Sequence, residues 1–139
     1  MRLRSFSMTT KQMRESTPDN ILKDCTRRLN WLFARPGLHT MAVEKAQGLK
    51  RGEHPKYIRE CVDVQVSREP IIDIVKRPYR NGQYEVAREG FPEWIGNEIK
   101  FYEMMKEQYP WIKPEVPITR IEFKHIFEVP IQTKIEVIV

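Results

Sequence analysis

Ile58-Arg59-Glu60-Cys61-Val62-Asp63-Val64-Gln65-Val66 decides the fold class, because its apolar residues keep the period of an extended strand. Ile58, Val62, Val64 and Val66 fall at even spacing, interrupted at Glu60, which puts them on one face of a strand. Downstream, Ile121, Phe123, Phe127 and Val129 share a face in the same way, and Ile131, Ile135, Val137 and Val139 share another. Pro130 separates these two strands and marks a bend, a bulge or an edge. Upstream, Leu3 to Met8 reads as a strand and Thr9 to Ser16, opened by two threonines, as a short helix. Trp31, Leu32 and Phe33 lead to a Pro36-Gly37 turn, after which His39 to Lys45 alternates as a further strand.

The middle of the chain is helical. Pro70 to Val75 makes a turn or two, and Tyr84 to Arg88 another, stopped by Gly90. Pro92 then opens the longest helix, Glu93 to about Tyr109, with Ile95, Ile99, Tyr102 and Met105 near one face. Trp94, Met104, Met105 and the tyrosines of this helix read as core rather than as a cofactor box. His125 falls on the apolar face of its strand and reads as a core histidine with its ring satisfied. Strands on both sides of a helical middle predict an α+β fold.

Composition narrows the function classes. At 139 residues, 40% hydrophobic and 31% charged, the chain has the size of a single globular domain spanning 1–139. Two cysteines, Cys25 and Cys61, form no metal-ligand spacing, so no metal and no cofactor is expected. Met1-Arg2-Leu3-Arg4-Ser5 lacks the apolar run of a signal peptide, and no stretch suits a bilayer span; a cytoplasmic protein without membrane association is the expectation. Charge is divided unevenly. Residues 1–59 carry 13 Lys and Arg against 5 Asp and Glu, and residues 60–139 carry 11 against 14. A cationic half is the usual footprint of a polyanion such as RNA or a nucleotide, although basic surfaces also serve solubility alone.

Within that cationic half, Lys23-Asp24-Cys25-Thr26-Arg27-Arg28 is the stretch richest in chemistry. A threonine hydroxyl attacks a carbonyl only when a base takes its proton, and lysine serves as base only when burial or nearby cations depress its pKa. Arg27 and Arg28 are such cations. The plain alternative is that Lys23 and Thr26 merely lead into a strand while the arginines stay solvated. Asp24 would hold the Lys23 amine protonated unless strand alternation turns the two apart.

Taken in order, Lys23–Arg28, Ala42-Val43-Glu44-Lys45, Gly48-Leu49-Lys50-Arg51-Gly52-Glu53, Val64–Pro70, Glu85–Phe91 and Val116–Phe123 resemble the ASCH-domain proteins, in particular the small stand-alone members of bacteria and phages. The resemblance covers roughly Phe6 to Phe127 and leaves 128–139 as a C-terminal strand extension. It implies a PUA-like β-barrel with short flanking helices and one longer helix near 93–109. Some members are amidohydrolases that remove acyl groups from the exocyclic nitrogen of cytidine, using a lysine, a threonine three residues later and a glutamate. Lys23, Thr26 and Glu89 match these positions. The resemblance thus implies Thr26 as nucleophile, Lys23 as its base, and Glu89 as the acid that protonates the departing amine or orients the ring.

Three functions follow from this set. A nucleotide- or RNA-binding protein would use Arg27, Arg28, Lys45, Lys50 and Arg51 on phosphate and Trp31 as a stacking surface. An N4-acylcytidine amidohydrolase would use the Lys23, Thr26 and Glu89 pocket. A ribonuclease would use Lys23 and Glu89 as acid and base on a ribose 2′-OH. The sequence favours the first with an enzymatic pocket built on Lys23, Thr26 and Glu89; a purely structural Glu89–Lys23 ion pair is the alternative. Oligomeric state is not legible.

Overall fold

The computed structural model describes residues 1–127. In chain order these form β1 (Arg2–Ser5), α1 (Thr10–Glu15), β2 (Cys25–Arg28), β3 (His39–Val43), β4 (Tyr57–Pro70), α2 (Asp73–Lys76), β5 (Tyr79–Arg80), β6 (Gln83–Tyr84), α3 (Glu85–Arg88), a 3-10 turn (Pro92–Trp94), α4 (Ile99–Gln108) and β7 (Pro117–His125). The readings of Val129, Pro130, the Ile131–Val139 strand and the 128–139 extension lie outside the described residues.

Five strands make one mixed sheet in the order β1-β3-β4-β7-β2, and β5 and β6 form a separate hairpin. β1 runs parallel to β3 and the other neighbours are antiparallel. The edges are β1 and β2. The sheet curls until these edges approach, where Arg28 Nη2 donates to the Ser5 carbonyl at 2.6 Å. No ladder joins them, so the architecture is an α+β curled half-barrel with a few short helices rather than a closed barrel.

The curl has an unusual lining, and it corrects the reading of β4. Arg4 and Asp63 are fully buried and joined by two hydrogen bonds, 2.7 and 3.0 Å. Cys61 and Asp63 therefore point inward, while Val62 and Val66 are half-buried and Val64 is 40% exposed. The apolar set named from the sequence thus lies mostly on the outer face. A bulge between Asp63 and Gln65 leaves Val64 without a cross-strand partner and shifts the phase of the rest. Phe6, Met13, Ala42, Cys61 and Phe123, with Ile58 against them, fill the remaining interior.

The helical middle is corrected too. A single helix over 93–109 is not formed: the 3-10 turn ends at Trp94, Gly96 takes φ +84°, and α4 starts only at Ile99. A glycine adopts that left-handed backbone cheaply, so the chain breaks there. Ile95 and Ile99 are consequently exposed, and the buried face of α4 is Phe101, Tyr102 and Met105. These pack with Ile71, Ile74, Val86 and Ile118 into the larger core, covering the outer side of β7.

Candidate functional site

Where the two sheet edges meet, a cavity of about 620 Å³ opens between the turn after β1, the Lys23–Trp31 segment and α4. Lys23, Thr26 and Glu89 all line it, as do Arg27, Arg28, Trp31 and Lys45. Lys50 and Arg51 do not. They sit in an exposed turn closed by Glu53, whose N–H donates to the Lys50 carbonyl at 2.9 Å.

Backbone pairing explains how the distant segments converge. Asp24 donates its N–H to the Arg88 carbonyl at 3.0 Å, and its carboxylate accepts from Arg88 Nε at 2.9 Å. Asp24 thus faces α3, not the Lys23 amine. Gly90, at φ +101°, turns the chain after α3, and Gln12 Nε2 donates to its carbonyl at 3.1 Å. Glu89 is thereby brought under Lys23.

The Lys23 amine is 2% exposed and donates to the Glu89 carbonyl at 2.6 Å, to the Cys25 carbonyl at 2.8 Å and to Glu89 Oε1 at 3.4 Å. Burial pulls its pKa below the usual lysine value, against the opposing pull of the Glu89 carboxylate. A neutral amine keeps two N–H donors, enough for the two short carbonyl bonds; the long contact to Oε1 is the one given up.

Thr26 is also buried, and its Oγ1 accepts from Arg28 Nε at 2.9 Å. Its own proton goes to no acceptor among the described residues, and a guanidinium beside the oxygen favours the alkoxide. No hydrogen bond joins Lys23 to Thr26. Alternation along β2 sends Cys25 and Arg27 toward α3 and Thr26 and Arg28 toward the inside of the curl. The ring of Phe6 is common to the two cations, 5.8 Å from Lys23 Nζ and 5.0 Å from the Arg28 guanidinium. Burial, with the Arg4 charge nearby, pushes Arg28 down to about 10.

Arg27 corrects its reading as a phosphate contact. It is turned inward, with Nη1 on Glu89 Oε2 and Nη2 on Glu85 Oε1, both at 2.7 Å. Trp31 lines the cavity with a left-handed backbone, φ +59°, but Arg4 lies over its ring at 4.3 Å and its ring leans on Phe33. One of its faces is therefore already used for stacking. His125 is bonded at both ring nitrogens, Nε2 to the Lys23 carbonyl at 2.7 Å and Nδ1 to Arg59 at 2.9 Å. Burial lowers its pKa and favours the neutral ring.

Sequence reasoning missed the ion network beneath the site. Fully buried Glu85 accepts from Arg27 and, through both oxygens, from Arg120 at 2.6 and 3.0 Å. Arg120 and Arg88 also share Glu122 Oε1, at 2.7 and 3.0 Å. The sequence held no clear signal, since Arg120 and Glu122 alternate with Ile121 and Phe123 as the solvated face of a strand does. Among the described residues no cluster of three or more potential metal ligands occurs, and no helix is long and apolar enough to cross a membrane.

No protein-family model matches the chain, and no curated protein matches it. Among solved structures, it is similar to the crystal structure of protein EF3133 from Enterococcus faecalis, of the DUF984 family, with a TM-score of 0.53. That likeness covers 91% of this chain and 76% of the other at 12% identity, and it speaks for the α+β half-barrel architecture alone.

Proposed function

We propose that this protein is an ASCH-type, PUA-like nucleotide- or RNA-base-binding protein whose cavity removes an acyl group from the exocyclic nitrogen of cytidine. One observation carries the reading: Lys23, Thr26 and Glu89, from two segments more than sixty residues apart, line the same cavity, with the amine of depressed pKa and the hydroxyl proton unclaimed. Thr26 Oγ1 attacks the acyl carbon, Lys23 takes its proton, and Arg28 Nε steadies the charge developing on the oxygen. Glu89 Oε1, next to the amine, relays the proton to the leaving exocyclic nitrogen. The acyl-threonine ester is then hydrolysed by water, restoring the hydroxyl. Lys23 and Thr26 close on each other when substrate is bound, as catalytic contacts in free enzymes commonly do.

Lys23 and Glu89 contact each other, which suits a single proton relay better than the separated acid and base that cleavage at a ribose 2′-OH needs. Exposed Lys45 at the rim supports RNA as a larger ligand of the same cavity. The test is release of cytidine from N4-acetylcytidine by wild type and Thr26→Ala, with a short RNA in parallel. Turnover should fall by at least about 100-fold in the variant, with the melting temperature held. A variant of full activity refutes the nucleophile. Intact nucleoside beside bound or cut RNA moves the function to RNA.

A further inference from the structure

We propose that the cavity takes its nucleoside with a 5′-phosphate attached, and that Arg28 seats the phosphate. The inference rests on the nucleoside reading above and deepens it.

Arg28 differs from its neighbours. Arg4, Arg27, Arg80, Arg88 and Arg120 each hold a carboxylate at 2.6 to 2.9 Å. Arg28, half-buried in the cavity wall, holds none: Nε is spent on the Thr26 hydroxyl and Nη2 on the Ser5 carbonyl. These two bonds fix the guanidinium plane. Nη1 bonds to nothing among the described residues, so its two N–H groups are left over in a rigid orientation. A cation withdrawn from water without a counter-ion is costly, and an anion arriving at Nη1 removes that cost. Lys45, also without a carboxylate among the described residues, stands on the same lining. A phosphate dianion neutralises both charges and accepts charge-assisted hydrogen bonds from Nη1 and from the Lys45 amine, whereas a single carboxylate neutralises one. The cavity, about 620 Å³, lies in the size range of sites that hold a ligand as large as a mononucleotide. Base and acyl group then lie toward Thr26 and Lys23, with the phosphate on the far side of the Arg28 plane.

The experiment is calorimetric titration of wild type, Arg28→Gln and Arg28→Lys with cytidine, cytidine 5′-monophosphate and ribose 5-phosphate. Wild type should bind the monophosphate at least about tenfold tighter than cytidine, a preference that weakens with salt. Arg28→Gln should bring the ratio near unity, and Arg28→Lys should restore part of it. Equal affinity of wild type for cytidine and its monophosphate overturns the phosphate seat while leaving the nucleoside reading standing, and this ratio decides the matter even if a variant fails to fold. Arg28-dependent binding of ribose 5-phosphate without any binding of cytidine keeps the seat and removes the nucleoside reading. A preference that survives in Arg28→Gln, or no binding of either phosphate, overturns the proposal.

Discussion

Replacing Glu85 with glutamine tests whether the ion network under the cavity holds the fold. Glu85 is fully buried and accepts three hydrogen bonds from Arg27 and Arg120, at 2.6 to 3.0 Å. Although burial raises its pKa, the Arg120 and Arg27 guanidiniums more than offset this and hold it at about 2, against an ordinary 4.5. At about 1.4 kcal/mol per pH unit, that difference corresponds to roughly 3 kcal/mol of native-state stability. A depressed carboxylate pKa places this stability above the unfolded value and removes it as pH falls through the folded one, so it should vanish between about pH 5 and pH 2. Glu85→Gln keeps the shape but deletes the charge and leaves two buried guanidiniums short of a partner, a loss in the range of about 3–5 kcal/mol. With a urea slope of about 1–3 kcal/mol per molar, the unfolding midpoint at pH 7 should drop by roughly 1–5 M. Urea titrations of both proteins at pH 7, 5 and 3 measure it. The gap between them should narrow steadily with acidification. Equal midpoints at pH 7, or a gap independent of pH, would refute the argument.

If Lys23 is the base, turnover should rise with pH through an inflection below 10.5, because burial lowers its pKa and only the neutral amine accepts a proton. Lys23→Arg should be inactive across the whole profile, since a guanidinium does not deprotonate; a profile unchanged by that substitution removes Lys23 from the chemistry. Gly90→Ala should lower the melting temperature by roughly 3–8 °C, for the left-handed φ and for a Cβ that would meet Gln12 Cγ at 3.3 Å and Thr9 Cγ2 at 3.4 Å. No change in melting would mean that the turn after α3 tolerates a side chain. Cys25 and Cys61 are buried, with burial pushing both thiols up to about 12, so a thiol reagent at pH 8 should label neither until the chain is unfolded.

The strand that decides the fold class was legible as a strand but not by its face. Period two survives in Val62, Val64 and Val66, yet the half-barrel interior holds the Arg4–Asp63 pair, so the polar phase of β4 is the buried one. Hydropathy cannot report such an inversion, because it scores Asp63 without its partner fifty-nine residues away. The 93–109 helix failed for a local reason that was visible: Gly96 stands in its first turn, and the apolar spacing through Ile95 and Ile99 outweighed it. Lys23, Thr26 and Glu89 were legible as a set, because residue type and order survive in the chain. The roles of Arg27 and Glu85 were not, since a strand arginine reads as solvated until a carboxylate from α3 is known to face it.

That missed pair decides how the cavity is built. Arg27 divides its two Nη groups between Glu85 and Glu89, and Arg120 takes the rest of Glu85. Glu89 Oε2 is therefore fixed from below, which leaves Oε1 as the oxygen turned to the Lys23 amine. Loss of Glu85 would let Arg27 claim both oxygens of Glu89 in the forked geometry that guanidiniums prefer, drawing Oε1 away from the amine. The balance on Lys23, burial lowering its pKa and Glu89 raising it, would then tip further toward the neutral form. The structural network and the Lys23–Glu89 end of the proton relay are thus mechanically joined through a single carboxylate, while Thr26 and Arg28 face the same cavity from the other side of β2 and make no hydrogen bond to the network.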